Sequence, residues 1–275
     1  MTEPQLSYLF ETALLAILEA TREIARIYKK GHVHVVFKSD QSPVTQADKI
    51  SSDIISKHLI KTGIPVICEE KGLKDYAERK TWDHFWLVDP LDGTKEFIKR
   101  NGQFTINIAL VQANKPILGL ISIPTKDLLY WGDYQHGAFK IKIRKIRETS
   151  YPKLIEKAIQ LPKKCKHGKL TIMVSRSHLD DQTLRYIDIL KLKGLHVKTK
   201  TAGSALKFCY IAEGKADLYL RFSPTMEWDT AAGHAIVEAS GANISSLPSY
   251  NLFAYNKPDL RNNGFIVYKD ENLLL

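Results

Sequence analysis

The sequence predicts a mixed fold, α+β in its first half and layered α/β in its second. Three observations carry this. Two amphipathic helix patterns open the chain. Apolar runs too short for helices follow them. After about Lys153, strand-like and helix-like segments alternate, which calls for packed layers.

The elements follow in order. Leu6, Leu9, Ala13, Leu14, Ile17, Ile24 and Ile27 recur at helical spacing over residues 5–29, with Gly31 as the stop. Ile50, Ile54, Ile55 and Leu59 mark a second helix over about 46–61. IPVIC, HFWLVD, TINIALVQ and ILGLISI then read as strands, punctuated by proline pairs. In the segment KIKIRKIRETSYPK, basic residues alternate with Ile, which predicts a strand with one solvated face. That segment is also the expected boundary between two lobes of one unit spanning 1–275, about 1–150 and about 151–275. Beyond it, LTIMVS, GLHVKT, KADLYLRF and GFIVYK read as strands. LDDQTLRYIDILKLKG, SALKFCYIAEG and WDTAAGHAIVEASG read as helices.

Composition excludes several classes. With 275 residues, 44% hydrophobic and 25% charged, the chain can bury a core and is not disordered. No apolar run approaches the roughly 18 residues of a membrane span. The N-terminus carries acids where a signal peptide carries basic residues. Three widely spaced cysteines indicate neither a disulfide framework nor a zinc site. A cytoplasmic location is expected. The net charge of +10 favours anionic partners: phosphorylated metabolites, nucleic acid or an acidic membrane surface.

The chemistry concentrates in a few stretches. WLVDPLDGTKEF ends an apolar run in two acids around a proline. The Pro90 break and the Asp92-Gly93 turn let Asp89 and Asp92 face one cleft, and the Leu91 carbonyl faces the same turn. Paired carboxylates repel unless a cation lies between them. An all-oxygen donor set without His or Cys suits Mg²⁺ or Mn²⁺. The alternative is a surface turn whose acids cap backbone groups. VICEEKG places Glu69 and Glu70 just after a strand that a neighbouring strand can carry to the same edge, with plain surface charge as the alternative. Asp229 stands at a helix start, where an N-cap is the plain alternative. Thr45 and Asp48 have the form of a capping box. Asp48 can also reach into the acidic cleft, and both roles are compatible. Ser204 and Lys207, at i and i+3 near a helix start, form a possible anion site. Their alternatives are an N-cap and a surface charge. Cys68 reads as a small buried residue, and His32 and His34 receive no role.

Glu69-Glu70, the run Asp89-Pro90-Leu91-Asp92-Gly93-Thr94 and the run Trp228-Asp229 to Gly233, in this order and spacing, resemble the inositol monophosphatase superfamily of metal-dependent, lithium-sensitive phosphatases. The resemblance spans nearly the whole chain. Longer stretches, among them DPLDGTKEFIKRNGQFTINIAL, VSRSH and DLYLRFSPTMEWDTAAGHA, resemble its 3'(2'),5'-bisphosphate nucleotidase branch of CysQ type. Cys68 departs from the Ser or Gly common before the two glutamates, at a position that is not a ligand.

The resemblance implies the layered α/β/α/β/α sandwich of the inositol monophosphatase and fructose-1,6-bisphosphatase type. It implies two or three Mg²⁺ ions held by Glu69, Asp89, the Leu91 carbonyl, Asp92 and Asp229. It pairs Thr94 with Asp48 to position an attacking water; the chemistry then offers Glu70 as the acceptor of that water's proton. The resemblance places Glu69, Leu91, Asp92, Gly93, Thr94 and Asp229 against the substrate. His178 and Arg221 join Ser204 and Lys207 around its nucleotide. The implied reaction removes phosphate from adenosine 3',5'-bisphosphate to give AMP, with the sulfated relative PAPS as a further substrate. The near alternatives are an inositol monophosphatase or a sugar bisphosphatase. KEFIKRNGQF after the Asp-Gly-Thr turn argues against the first. A non-catalytic nucleic-acid-binding protein is the distant alternative, disfavoured because converging acids repel phosphates. The expected partner is therefore a small nucleotide bisphosphate rather than nucleic acid. Any membrane contact is peripheral, on the cytoplasmic side of the inner membrane.

Overall fold

The computed structural model describes residues 1–31, 35–37, 43–162, 169–175 and 180–275, with only the backbone described at 35–37. His32, His34 and Cys165 lie outside these residues.

The first helix runs Glu3–Lys30 and the second Gln46–Leu59. Both lie on one face of a seven-stranded sheet. Its strands, in spatial order, are Val66–Cys68, His84–Asp92, Thr105–Gln112, Lys115–Ile123, Leu128–Asp133, Gly137–Lys142 and Ile159–Leu161. The first pair is parallel and the rest are antiparallel. The sheet thus continues through Leu161, beyond the segment 140–153. That segment supplies a strand only as far as Lys142.

The central strands are apolar on both faces because both faces are covered. Trp86 and Val88 join the core under the first helix with Leu14, Ile17 and Ile24. Phe85 and Leu87 point the other way, into a core shared with Ile236, Val237 and Phe208. Alternation along a strand produces this two-sided pattern. The opposite face is covered by the helices Leu206–Ala212 and Glu227–Ala239. A second, five-stranded sheet packs beyond them, in the order Val197–Ala202, Leu170–Ser175, Leu218–Arg221, Phe265–Tyr268, Asn243–Ser246. Its outer face is covered by the helix Asp181–Leu192, through Tyr186, Ile187 and Leu190. The layers read helices, sheet, helices, sheet, helix, as expected for the α/β/α/β/α sandwich.

The Glu227–Ala239 helix matters most for the site, because it is the spacer between the sheets. It approaches the first sheet closely at Gly119, where a Cβ would sit 2.4 Å from the Ala232 carbonyl oxygen. Only a residue without a side chain permits that distance. Among the described residues no helix is long and apolar enough to cross a membrane.

Candidate metal and active site

Pro90 does not end its strand, contrary to the sequence reading. The strand His84–Asp92 runs on through it as a bulge: Asp89 pairs with Asn107 and Asp92 with Thr105. Three steps on one strand oppose two on the other. Proline has no N–H to give the ladder, and the bulge absorbs that loss. In a regular strand, positions 89 and 92 would face opposite ways. The extra residue reverses the alternation and puts both carboxylates on one side. Gly93 then turns the chain in the left-handed region, at φ 92°.

Two more acids come to the same place. The Val66–Cys68 strand runs parallel beside His84–Asp92, with Cys68 opposite Val88, so Glu69 and Glu70 emerge at the Asp89 end. Asp229 arrives from the second half, in the first turn of the Glu227–Ala239 helix. It is not the N-cap, which is Met226. It is the third helical residue, and its Oδ2 accepts the Met226 backbone N–H at 2.8 Å. Ligand atoms of Glu69, Asp89 and Asp229 lie within 4.8 Å of one another.

Asp48 holds both roles open to it in the sequence. Its Oδ2 accepts the Thr45 backbone N–H at 2.7 Å and the Thr45 hydroxyl at 2.6 Å, which closes the capping box. Its Oδ1 accepts the Thr94 hydroxyl at 2.9 Å. The Thr94 hydroxyl also lies 3.4 Å from the Leu91 carbonyl oxygen. Asp48, Thr94 and Leu91 are thereby joined at the edge of the acidic cluster. Glu70 is near enough to Asp48 to push its pKa up, although burial is the larger cause.

The protein's own groups offset only part of the burial and mutual repulsion of the three aspartates. Burial first, then Glu69, Asp92 and Asp229, drive the Asp89 carboxyl well above the usual range. Burial raises Asp92 too, against the nearby Lys207 ammonium. Burial, Asp92 and Glu69 raise Asp229 to about 8. Asp89 Oδ2 is enclosed and has no hydrogen-bond partner among the described residues. An all-carboxylate donor set with an unpartnered buried oxygen fits a hard divalent cation.

A pH dependence follows. Acids with raised folded pKa values bind more protons folded than unfolded, so their contribution falls as pH rises. For Asp229 that window runs from 3.8 to about 8. Buried His234, with a lowered pKa, works in the opposite sense below its ordinary 6.5. The diagnostic is therefore the difference between melting curves in Mg²⁺ and in EDTA. Divalent ions must displace the same protons, so the Mg²⁺-induced rise in midpoint is expected to grow steadily from about pH 5 to about pH 8. A rise that is absent, or independent of pH, contradicts the cluster's role.

Beside the acids lies a pocket lined by residues of both halves, among them Asp92, Gly93, Ser204, Lys207, Arg221 and Asp229. Ser204 does not begin the helix, which starts at Leu206. It sits in a left-handed turn at φ 46°. Its hydroxyl donates to the Gln103 carbonyl oxygen at 3.0 Å, while Gly203 N–H donates to Gln103 Oε1 at 2.8 Å. Lys207 is a buried side chain rather than a surface charge. Its Nζ donates to the Ser204 and Ala202 carbonyls, and burial lowers its pKa to about 8. The Arg221 guanidinium is steadied by the Ser223 and Pro224 carbonyls, at 3.3 and 3.4 Å. His178 lies outside the described residues.

Some site residues were not singled out in the sequence. Thr105 and Asn107 donate to Asp92 Oδ2 at 3.3 and 3.4 Å. The available signal was polarity: Thr105 and Asn107 are buried in the otherwise apolar run TINIALVQ. Gln103 joins the two halves at the pocket without any local pattern to mark it. Lys95, Glu96 and Tyr219 also line the pocket.

Comparison with known proteins agrees with this architecture. The chain is 41% identical over 232 residues to the 3'(2'),5'-bisphosphate nucleotidase CysQ of Salmonella typhimurium, covering 84% of this chain and 87% of the relative. The structure of CysQ from Bacteroides thetaiotaomicron superposes with a TM-score of 0.87 at 43% identity, covering 96% of this chain and 98% of that one. A more remote match, the extragenic suppressor protein suhB from Bartonella henselae, shares the fold at 22% identity, with a TM-score of 0.74 and coverage of 97% and 96%. The model of the inositol monophosphatase family matches residues 5–272, and the chain belongs to that family.

Proposed function

We propose that the chain is a Mg²⁺-dependent phosphatase that hydrolyses the 3'-phosphate of adenosine 3',5'-bisphosphate to give AMP and phosphate. The observation that carries the reading is the juxtaposition of two opposite charge environments in one cleft. The buried carboxylate of Asp89 and the half-buried ones of Glu69, Asp92 and Asp229 form one environment, and Lys207 and Arg221, lining a pocket with Asp92 and Asp229, form the other. A substrate with a scissile phosphate and a second, retained phosphate matches both. The CysQ relatives, named as nucleotidases of this kind, support the same substrate class.

When bound, Mg²⁺ ions held by Glu69, Asp89, Asp92, Asp229 and the Leu91 carbonyl would neutralise the phosphoryl and leaving oxygens and acidify water. The chain's own residues do the rest. The Thr94 hydroxyl donates its hydrogen bond to Asp48, so its lone pairs are turned outward to accept from the attacking water. This aligns the water and forms no bond to the enzyme. Water oxygen adds to phosphorus, the bond from phosphorus to the 3'-oxygen breaks, and Glu70 takes the water's proton. The leaving oxygen is protonated from solvent, and no phospho-enzyme forms. Lys207 and Arg221 hold the 5'-phosphate. The Ser204 hydroxyl proton is given to Gln103, so Ser204 shapes the pocket through its turn.

The test is a side-by-side comparison of kcat/KM for adenosine 3',5'-bisphosphate and inositol 1-phosphate at saturating Mg²⁺. A preference for the nucleotide of about 100-fold or more is expected, because Lys207 and Arg221 would be left unpaired by the inositol ester. A preference for the inositol ester would keep the carboxylate cluster and remove the assigned role of Lys207 and Arg221.

A further inference from the structure

A second, largely buried polar network lies behind the cluster and grips two of the segments that carry it. Glu227 stands two residues before Asp229 and has no exposed surface. Its Oε2 accepts the Asn256 N–H at 2.6 Å. Its Oε1 accepts the Lys257 N–H at 3.0 Å and the Lys257 ammonium at 2.6 Å. Lys257 also donates to Asn262 Oδ1 at 2.9 Å. Asn262 in turn donates to the Met226 carbonyl and the Thr230 hydroxyl, at 3.1 and 3.2 Å, on either side of Asp229. The first turn of the Asp229 helix is thus fixed from three directions.

The other end of the network reaches the Glu69 segment. Arg79 closes the short helix Tyr76–Arg79 that follows Glu69 and Glu70, and only 3% of it is exposed. Its Nε donates to the Lys74 carbonyl at 2.9 Å, which folds the intervening loop onto it. Its Nη1 donates to Asn256 Oδ1 at 2.6 Å, and Asn256 returns a hydrogen bond to the Arg79 carbonyl at 2.7 Å. Asn256 holds the left-handed conformation, at φ 62°, that presents both its backbone N–H to Glu227 and its side chain to Arg79. Two ligand-bearing segments remote in sequence are therefore joined through one asparagine.

We propose that Arg79, Asn256 and Glu227 are positioning residues for the divalent-cation site, setting the separation between Glu69 and Asp229. This rests on the cation reading given above. Carboxylates that repel one another will drift apart unless their backbones are held, and a guanidinium fork holds more directions at once than an ammonium does. Neither Arg79 nor Glu227 lines the substrate pocket, so Mg²⁺ affinity and nucleotide KM can be read separately.

The experiment is a calorimetric Mg²⁺ titration of the whole chain, for wild type, Arg79→Lys and the double variant Glu227→Gln with Lys257→Met. The double variant removes both charges together and leaves no buried ion unpaired, so it decides the matter if Arg79→Lys does not fold. The expected result is a loss of Mg²⁺ affinity of about tenfold or more in a folded variant, typical when groups that orient ligands are changed. The Mg²⁺ needed for half-maximal phosphate release should rise by the same factor, with KM for the nucleotide at saturating Mg²⁺ within about twofold of wild type. Wild-type Mg²⁺ affinity in a folded variant, whatever its melting point, overturns the proposal and leaves the network as packing alone. Failure of wild type itself to bind Mg²⁺ overturns the cation reading together with it. Wild-type binding without phosphate release overturns only the reaction.

Discussion

Asp89→Asn is expected to lower kcat for phosphate release by about 10⁴ or more at saturating Mg²⁺, and to leave the metal-free protein at least as stable as wild type. Both effects have one cause. Asp89 lies at the centre of the acidic cluster, buried, with Glu69, Asp92 and Asp229 all raising its pKa. Its Oδ2 has no protein partner among the described residues. The amide is nearly isosteric but carries no charge, so it cannot hold the cation whose stabilisation of the transition state amounts to several kcal/mol. Without the cation, the same substitution removes a repulsion that burial leaves unscreened. Phosphate release in Mg²⁺ and thermal melting in EDTA check the two halves separately. More than a tenth of wild-type activity, or a marked fall in the EDTA midpoint, contradicts the assignment.

Thr94→Val is expected to lower kcat by about 10²–10³, with KM within about twofold of wild type, the pattern for a contact that matters in the transition state. Valine keeps the shape and removes the hydroxyl that lies 2.9 Å from Asp48 Oδ1. It leaves the other Asp48 oxygen on Thr45, so the cap of the Gln46–Leu59 helix is kept. Substituting Asp48 itself would disturb both at once. Thr94→Ser restores the hydroxyl and should recover most of the rate. An unchanged kcat in Thr94→Val, or a failure of serine to rescue, removes Thr94 from the positioning of water.

What the sequence made legible has two sources. Asp89 and Asp92 end an apolar run, and carboxylates there need a reason, whereas Glu69 and Asp229 drew their role from the order and spacing of motifs that resemble the inositol monophosphatase superfamily. The two opening helices, with their period and their stops, were legible because one face had to be buried. The bulge at Pro90 was not, because whether a proline ends a strand or is absorbed depends on the partner strand. Short polar strands such as Asn243–Ser246 carry no period of their own and exist because Phe265–Tyr268 offers them an edge. In the sequence Lys207 forms a possible anion site, with a surface charge as the alternative, and its burial was not legible because nothing local announces it. Lys207 lies beneath the pocket because the interlayer helices bring it there. The Arg79–Asn256–Glu227 network was illegible for a related reason. Its members are far apart in the chain, and each alone is an ordinary surface residue type.

One measurement bears most directly on the claim that this cleft removes a 3'-phosphate with the help of a divalent cation. Adenosine 3',5'-bisphosphate is incubated with the enzyme in Mg²⁺, the products are resolved by phosphorus NMR, and excess EDTA is then added. The expected result is inorganic phosphate and 5'-AMP in equal amounts, with release stopping on chelation and resuming when Mg²⁺ is restored. Release that continues in EDTA, or that yields the 3'-monophosphate in place of 5'-AMP, would contradict the roles given to the carboxylates and to Lys207 and Arg221.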